Sequence, residues 1–534
     1  GAPSSLFGVV GFLVSFAMGD ASSDPDDLLS WVRARKGWVS RKVAVQLAAA
    51  TGGGRGLFVV QGAALDVGEA VVSLPRGAVL LGEQATASVA ASCPDLAAFF
   101  ASDAHGMGHQ EARHAQCVLS LQIVLLDVLH GGRSSPFASY VGDIGRHWTR
   151  AARSRFPLFW PERIRALLQG TLALDLFARA EEGVSREYEL LQRTCPRVPA
   201  QHSLDRYRKV WALVNSHVLT FPGDPTAPDG DGKDPQPALM PLFDMVNHFL
   251  PAPGSVLRKQ KDLNAHLQRS LGRYGMRPSS NATGAPINLE LWADRAMAEG
   301  EELTDVYGIK ANDDFLWSWG FTVPWIHNST CLARTQMALS VVDLPRDAPR
   351  ASERLRRGEG TSLCGLVVLR FQVDSCLGPG FRELHAFARY WHADVGDETL
   401  RRDCGLAGPG FGCSLGSPPA ATWELSARCK HIPSEADALA LGFIRELLQR
   451  SESALSGGSM AEDDALLRRA ADGTTNGAAG RTSDHPAWRD ALVVRRDEKY
   501  VLEQVRGWLS RQSQRPLRRR RRQRRGPRAK RTEL

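Results

Sequence analysis

Two short stretches carry the side chains best suited to chemistry. The first is Pro241-Leu-Phe-Asp-Met-Val-Asn-His248, an apolar segment that ends on an amide and an imidazole. Asn247 offers amide donors and a carbonyl acceptor, and His248 offers two distinct ring nitrogens. Polar groups at the end of a buried segment need partners, from the fold or from a ligand. The second is Glu299-Gly-Glu-Glu-Leu-Thr-Asp-Val-Tyr-Gly308, which puts a phenol, Tyr307, before a glycine and runs on through Trp319-Gly-Phe321. A metal is not expected. The nine cysteines are scattered singly with no Cys-x-x-Cys, a pattern that fits reduced thiols. His105, His109, His114 and Cys117 match no zinc spacing and are read as an exposed polar stretch, although His114 and Cys117 could share a helix face.

These stretches must be positioned by the elements around them. Asp24 to Arg41 is expected to form a short amphipathic helix, acidic at its start and basic at its end. Gly52-Gly-Gly-Arg-Gly-Leu-Phe-Val-Val60 is a glycine-rich turn running into a strand, and Val71 to Pro75 is a second strand. Such a turn lets the backbone approach a ligand closely, but taken alone it reads better as a plain hairpin turn. Residues 85–235 look mostly helical, with an apolar helix from Val118 to Leu129 and an amphipathic one from Arg208 to His217. Phe221 to Pro237 and Phe249 to Pro286 are polar loops, and Ile287 to Trp292 alternates like a strand. Beyond Phe321, helical segments alternate with Gly/Pro stretches to about residue 510.

In order and spacing, five elements over roughly residues 30–330 resemble the SET-domain protein methyltransferases of the Rubisco large-subunit methyltransferase-like group. They are the Gly-Arg-Gly turn, the insert patterns around Ser134–Val141 and Leu167–Leu172, the helix ending in Ser216-His217, the Asn-His motif, and the Gly-Glu-Glu…Tyr-Gly motif with its Gly-Phe. Glu462-Asp-Asp-Ala-Leu-Leu467 and Arg495-Arg-Asp-Glu-Lys-Tyr-Val-Leu502 resemble the end of that group's helical substrate-binding domain.

The resemblance implies an α+β fold: a SET β-fold with a pseudoknot and a helical insert, followed by an all-α substrate-binding domain. The implied boundaries are an N-terminal extension at 1–23, a SET domain at 24–330 with its insert at about 85–235, the helical domain at 331–510 and a basic disordered tail at 511–534. It implies S-adenosyl-L-methionine as cofactor and Tyr307 as the catalytic tyrosine. Gly54, Arg55, Gly56, His217, Asp244, Asn247, His248, Tyr307 and Phe321 are implied to line the cofactor. His217 departs from the family, which has an Arg there near the cofactor's carboxylate. A shorter, partly charged group should pair with that carboxylate less well.

The implied activity is protein-lysine N-methylation of a non-histone protein. The alternatives are an actin-directed type of histidine methyltransferase and a catalytically weak SET-like scaffold that binds a partner. Methyl transfer to an amine is an in-line displacement by a neutral nitrogen, so catalysis is mostly positioning and electrostatics.

The formal charge of +8 is a property of the tail. Residues 515–531 hold eleven Lys or Arg and no acid, so the remainder carries −3. Nucleic acid is therefore expected as a partner only through that run. Leu6 to Ala17 is apolar but short for a bilayer span and has no basic residue before it. Met18 is the expected true start, and no stable membrane association is expected. A monomer in the cytoplasm or nucleus is the expectation, with an organellar address left open by residues 1–17.

Overall fold

The computed structural model describes residues 26–48, 54–102, 106–131, 135–221, 235–248, 288–323 apart from 294, 306, 308 and 309, 333–340, 347–348, 368–377, six residues within 381–388, 434–471 and 487–524. Leu6–Ala17, His105, the Phe249–Pro286 loop, and nearly all of the Phe221–Pro237 loop lie outside them.

The first strands are β1 (Trp38–Val39), β2 (Val43–Ala48), β3 (Gly54–Val59), β4 (Ala70–Pro75) and β5 (Leu80–Leu81). After a long helical stretch come β6 (Val218–Phe221), β7 (Gln236–Leu239), β8 (Asn247–His248), β9 (Asn288–Trp292) and β10 (Glu302–Asp305). They form three small sheets, ordered β1-β4-β9, β2-β3-β10-β8 and β5-β7-β6. β2 and β3 pair antiparallel from Val43↔Val59 to Ala48↔Gly54, so the expected strand is present, while Gly52 and Gly53 of the expected turn lie outside the described residues. The inward residues Leu57, Val59, Val71, Val72 and Leu74 are almost wholly buried in one core with Leu121, Leu125, Leu126 and Leu213. That burial, not strand length, holds sheets this short.

The helical stretch supplies the other side of the core. Helix His109–His130 packs against helices Gly82–Ala90 and Leu204–His217. Its length and apolarity would allow a membrane span, yet more than half of its apolar window is buried against the protein. On this helix His109 and His114 are exposed while Cys117 is buried, so the turn between them separates the residues that could have shared a metal. Helix Leu172–Thr194 is capped by Thr171, whose hydroxyl accepts from Leu174 N at 3.1 Å. Cys93 and Cys195, 102 positions apart, are joined as a disulfide, in contrast to the reduced thiols expected from their spacing. Folding brings their Cα atoms within 4.9 Å, a proximity that sequence separation hides.

The C-terminal part contains an antiparallel pair, β11 (Arg334–Ser340) with β12 (Val368–Asp374), and the helices Ser434–Ala454, Met460–Ala471 and Trp488–Arg524. The last helix runs to Arg524, past residue 511 where a disordered tail is expected; Arg and Gln are good helix formers, which fits the continuation. Its Arg495–Lys499 run is a fully buried string of charges. Arg495 and Lys499 both bond Asp463, and Arg496 bonds Asp497 at 2.9 Å. Asp497 accepts from Asn312 Nδ2 at 2.6 Å. Glu498 accepts from the backbone N–H groups of Leu172 and Ala173 at 2.8 and 3.0 Å and from the Thr335 hydroxyl at 2.7 Å. One helix turn thus ties the insert, the region after the Tyr motif and the β11–β12 pair together.

Glu498→Ala should therefore lower stability by about 3 kcal/mol or more, because three buried donors lose their acceptor. Chemical denaturation of the variant beside the parent checks this; a loss under ~1 kcal/mol would mean that water reaches those donors.

Candidate active site

The two chemistry-bearing stretches lie side by side. β8 and β10 pair in parallel, with Thr304 opposite Asn247 and Asp305 opposite His248. β10 also pairs antiparallel with β3, so the glycine-rich segment forms the third side. Asn247 sits at the junction of all three. Its Nδ2 donates to the Arg55 carbonyl at 2.9 Å and to Glu302 Oε1 at 2.6 Å. Gly56 is required by this packing. A Cβ there would run into the Glu302 carboxylate and come within 3.0 Å of Asn247 Nδ2.

His248 Nδ1 accepts the Tyr307 backbone N–H at 3.0 Å. Burial pulls its pKa down to about 4, so the ring is neutral and its proton sits on Nε2. That nitrogen is buried and has no hydrogen-bond partner among the described residues. The Tyr307 hydroxyl donates to the Val246 carbonyl at 2.7 Å, which points the phenol at the stretch preceding the Asn-His pair. Burial, with Asp305, Asp244 and Glu302 nearby, raises its pKa well above the ordinary phenol value, so it keeps its proton at neutral pH.

Asp244 lies in a single 3-10 turn, Phe243–Met245, entered through Leu242 at φ 71°. A left-handed leucine is uncommon and strained, which marks this turn as held by its surroundings. Asp244 Oδ2 accepts from the Tyr140 hydroxyl at 2.6 Å, while Oδ1 is buried and has no partner among the described residues. Desolvation pushes its carboxyl up to about 7, with the Tyr140 hydrogen bond and the Arg55 charge pulling the other way.

Helix Ala138–His147 carries Tyr140 and also Asp143, which holds the Arg55 guanidinium at 3.3 and 2.6 Å. His217 closes helix Leu204–His217; its Nδ1 is 2.9 Å from both the Leu213 carbonyl and the Ser216 hydroxyl. Desolvation lowers its pKa to about 4, and the nearby Arg55 charge adds to the fall.

An aromatic wall completes the site. Phe321 stacks on Phe315 at 5.2 Å and stands 5.5 Å from His248. Trp319 is 5.0 Å from the Tyr307 ring, and the Lys310 ammonium lies 5.5 Å over its indole. Gly320 makes this turn at φ 73°, where a Cβ would press on Phe156.

Asn247, His248, Tyr307, Phe321, Asp244, Arg55, Gly56 and His217 therefore gather around one locus. Gly54 differs: it is exposed at the far end of β3 at φ 81°, and a Cβ there would meet nothing within 4 Å. Tyr140, Asp143, Glu302 and Phe315 belong to the site without having been assigned to it from sequence. Glu302 is the second Glu of the Gly-Glu-Glu motif and Tyr140 lies inside the Ser134–Val141 pattern, so both had a signal. Among the described residues no group of three or more His, Cys, Asp or Glu is arranged to hold a metal. The locus offers a buried anionic acceptor, a buried imidazole donor and a flat aromatic wall. It suits a ligand with a cationic end and an aromatic end.

No protein-family model matches the chain. It is similar to N-lysine methyltransferase SETD6 of Bos taurus, 26% identical over 337 residues, which is 60% of this chain and 62% of the relative. It is also similar to N-lysine methyltransferase setd6 of Xenopus laevis, 27% identical over 216 residues, 38% of this chain and 40% of that one. The chain thus spans less than two thirds of the length of the curated relatives it matches. Its structure matches the SET domain of LSMT bound to lysine and AdoHcy with a TM-score of 0.58 and 13% identity, over 92% of this chain and 91% of the other. Rubisco LSMT bound to AdoMet matches with a TM-score of 0.56 and 14% identity, over 91% and 92%. The fold is therefore the α+β SET fold with its helical C-terminal region, as the motifs implied.

Gly56→Ala should push Glu302 off Asn247 and cost about 1–3 kcal/mol by overpacking. Thermal unfolding measures it; an unchanged midpoint would mean that the Glu302 carboxylate swings aside at little cost.

Proposed function

We propose that this chain is an S-adenosylmethionine-dependent protein-lysine N-methyltransferase acting on a non-histone protein. The observation that carries the reading is the pairing of β8 with β10. It puts Tyr307 within one hydrogen bond of both Val246 and His248, while Asp244 Oδ1 and His248 Nε2 are buried and have no partner among the described residues. Orphaned buried polar atoms are costly unless a ligand answers them. The similarity to proteins named N-lysine methyltransferases, and to Rubisco LSMT solved with AdoMet and with sinefungin and monomethyllysine, supports it.

When bound, the cofactor supplies a methyl group made electrophilic by its sulfonium. The residues present fit its other parts. Asp244 Oδ1 would receive its ammonium, His248 Nε2 and the Asn247 amide oxygen would face its polar groups, and Phe321 would offer a face for the adenine. Tyr307 keeps its proton and is fixed by Val246, so its role is to orient and polarise, not to abstract a proton. The lysine has to lose its proton before attack. Tyr307 and Trp319 form an aromatic wall suited to its ammonium, and Lys310 already rests on that indole. On this reading nucleic acid meets the chain only through the basic run 515–531, and the enzyme works as a monomer in the cytoplasm or nucleus.

Methyl transfer to protein lysines, followed with labelled cofactor, should fall about 100-fold or more in Tyr307→Phe while cofactor binding holds. Retained turnover in that variant would remove Tyr307 from the mechanism. The pH response is specific as well. Asp244 must be ionised to take an ammonium and titrates at about 7. Affinity for S-adenosylhomocysteine should therefore fall about tenfold per pH unit below that value. Asp244→Asn should bind more weakly and lose the acid-side fall; calorimetric titrations from pH 5.5 to 9 decide it.

A further inference from the structure

We propose that Arg55 receives the carboxylate of the cofactor's amino-acid end, that Asp244 receives its ammonium, and that His217 supplies no charge to either. This rests on the methyltransferase reading above. The amino-acid end is a zwitterion, and a dehydrated site has to answer both charges. Asp244 Oδ1 is the available anionic acceptor. Among the described residues, Arg55 stands near enough to Asp244 for their charges to interact, and His217 stands near enough to Arg55 to feel its charge.

His217 has the wrong polarity. Its Nδ1 lies 2.9 Å from the Leu213 carbonyl, which can only accept, so the ring proton sits on Nδ1. The neutral ring then presents a lone pair at Nε2, and a lone pair repels a carboxylate. Burial keeps the ring in that neutral form at physiological pH.

Arg55 has the right polarity and is held in place. Its backbone carbonyl is held by Asn247 Nδ2, which ties this strand position to the Asn-His pair. Asp143 takes one N–H from Nη1 and one from Nη2, leaving three of the five guanidinium donors uncommitted among the described residues. The charge is permanent, and the fork suits a carboxylate. Asp143 is also approached by Arg146 at 3.5 Å and His147 at 3.7 Å, so Arg55 does not alone neutralise it. Tyr140 and Asp143 stand one turn apart on the same helix and hold Asp244 and Arg55 respectively. One helix face therefore sets the positions of both charges.

The test is calorimetric titration with S-adenosylmethionine and with its decarboxylated analogue, which keeps the amine and loses only the carboxylate. Arg55→Gln is expected to weaken S-adenosylmethionine about 10- to 100-fold and the analogue less than about twofold. His217→Ala is expected to leave the ratio between the two ligands unchanged. His217→Arg placed in the Arg55→Gln background is expected to restore part of it. Arg55→Lys, which keeps the charge on a smaller head, serves if Arg55→Gln does not fold, and it should lower the ratio without abolishing it. Equal weakening of both ligands by Arg55→Gln, a ratio untouched by both Arg55 variants, or a ratio abolished by His217→Ala would overturn the assignment while leaving the methyltransferase reading intact. A parent protein that binds neither ligand would overturn that reading and this inference with it.

Discussion

The amide of Asn247 is the interaction on which the site depends. One nitrogen bonds the Arg55 backbone and the Glu302 side chain, and so ties three strands that are far apart in sequence. β8 is only two residues long, and β10 only four. Segments this short have little pairing energy of their own. The amide, the His248–Tyr307 bond and the absence of a side chain at Gly56 supply what the strands lack. The same contacts that hold the sheet aim the phenol and the imidazole, so structure and chemistry share their supports.

The electrostatics follow from dehydration more than from charge pairing. His217 and His248 are both driven to the neutral form, while Asp244 is brought close to neutrality by the same cause. Two imidazoles that cannot charge act as fixed donors or acceptors, and which they are is set by the backbone group each one meets. Carbonyl oxygen at Leu213 makes Nδ1 of His217 a donor, whereas the N–H of Tyr307 makes Nδ1 of His248 an acceptor. Beside Asp244, positive charge is thereby left to Arg55, while that of Lys310 rests on the Trp319 indole.

Much of this was legible in the sequence because polar residues in an apolar run are conspicuous. Asn247, His248 and Tyr307 are of that kind, Phe321 was marked by its Gly-Phe pair, and the SET fold followed from their order. Glu302 and Tyr140 were visible in quoted motifs but lacked a role, since a role here means a partner far away in sequence. The Cys93–Cys195 link and the burial of Arg495–Lys499 were not legible. A string of five charged residues reads as a solvated face until the helix around it is known to be enclosed. The direction of the His217 ring was hidden for a related reason: a letter in a sequence does not say which nitrogen carries the proton.

The enclosed charges of the last helix bear on modularity. A SET half and a helical half suggest two parts that could be cut apart, swapped or expressed alone. Yet the first turn of helix Leu172–Thr194 takes its acceptor from Glu498, and Asn312 takes one from Asp497. Thr322 likewise donates to Asp490 at 2.6 Å. The SET half thus borrows the last helix to finish its own hydrogen bonding. Evolutionary change in the C-terminal half is then constrained from within: its outer surfaces are free to diversify, while the inner face of its final helix is answerable to the SET half.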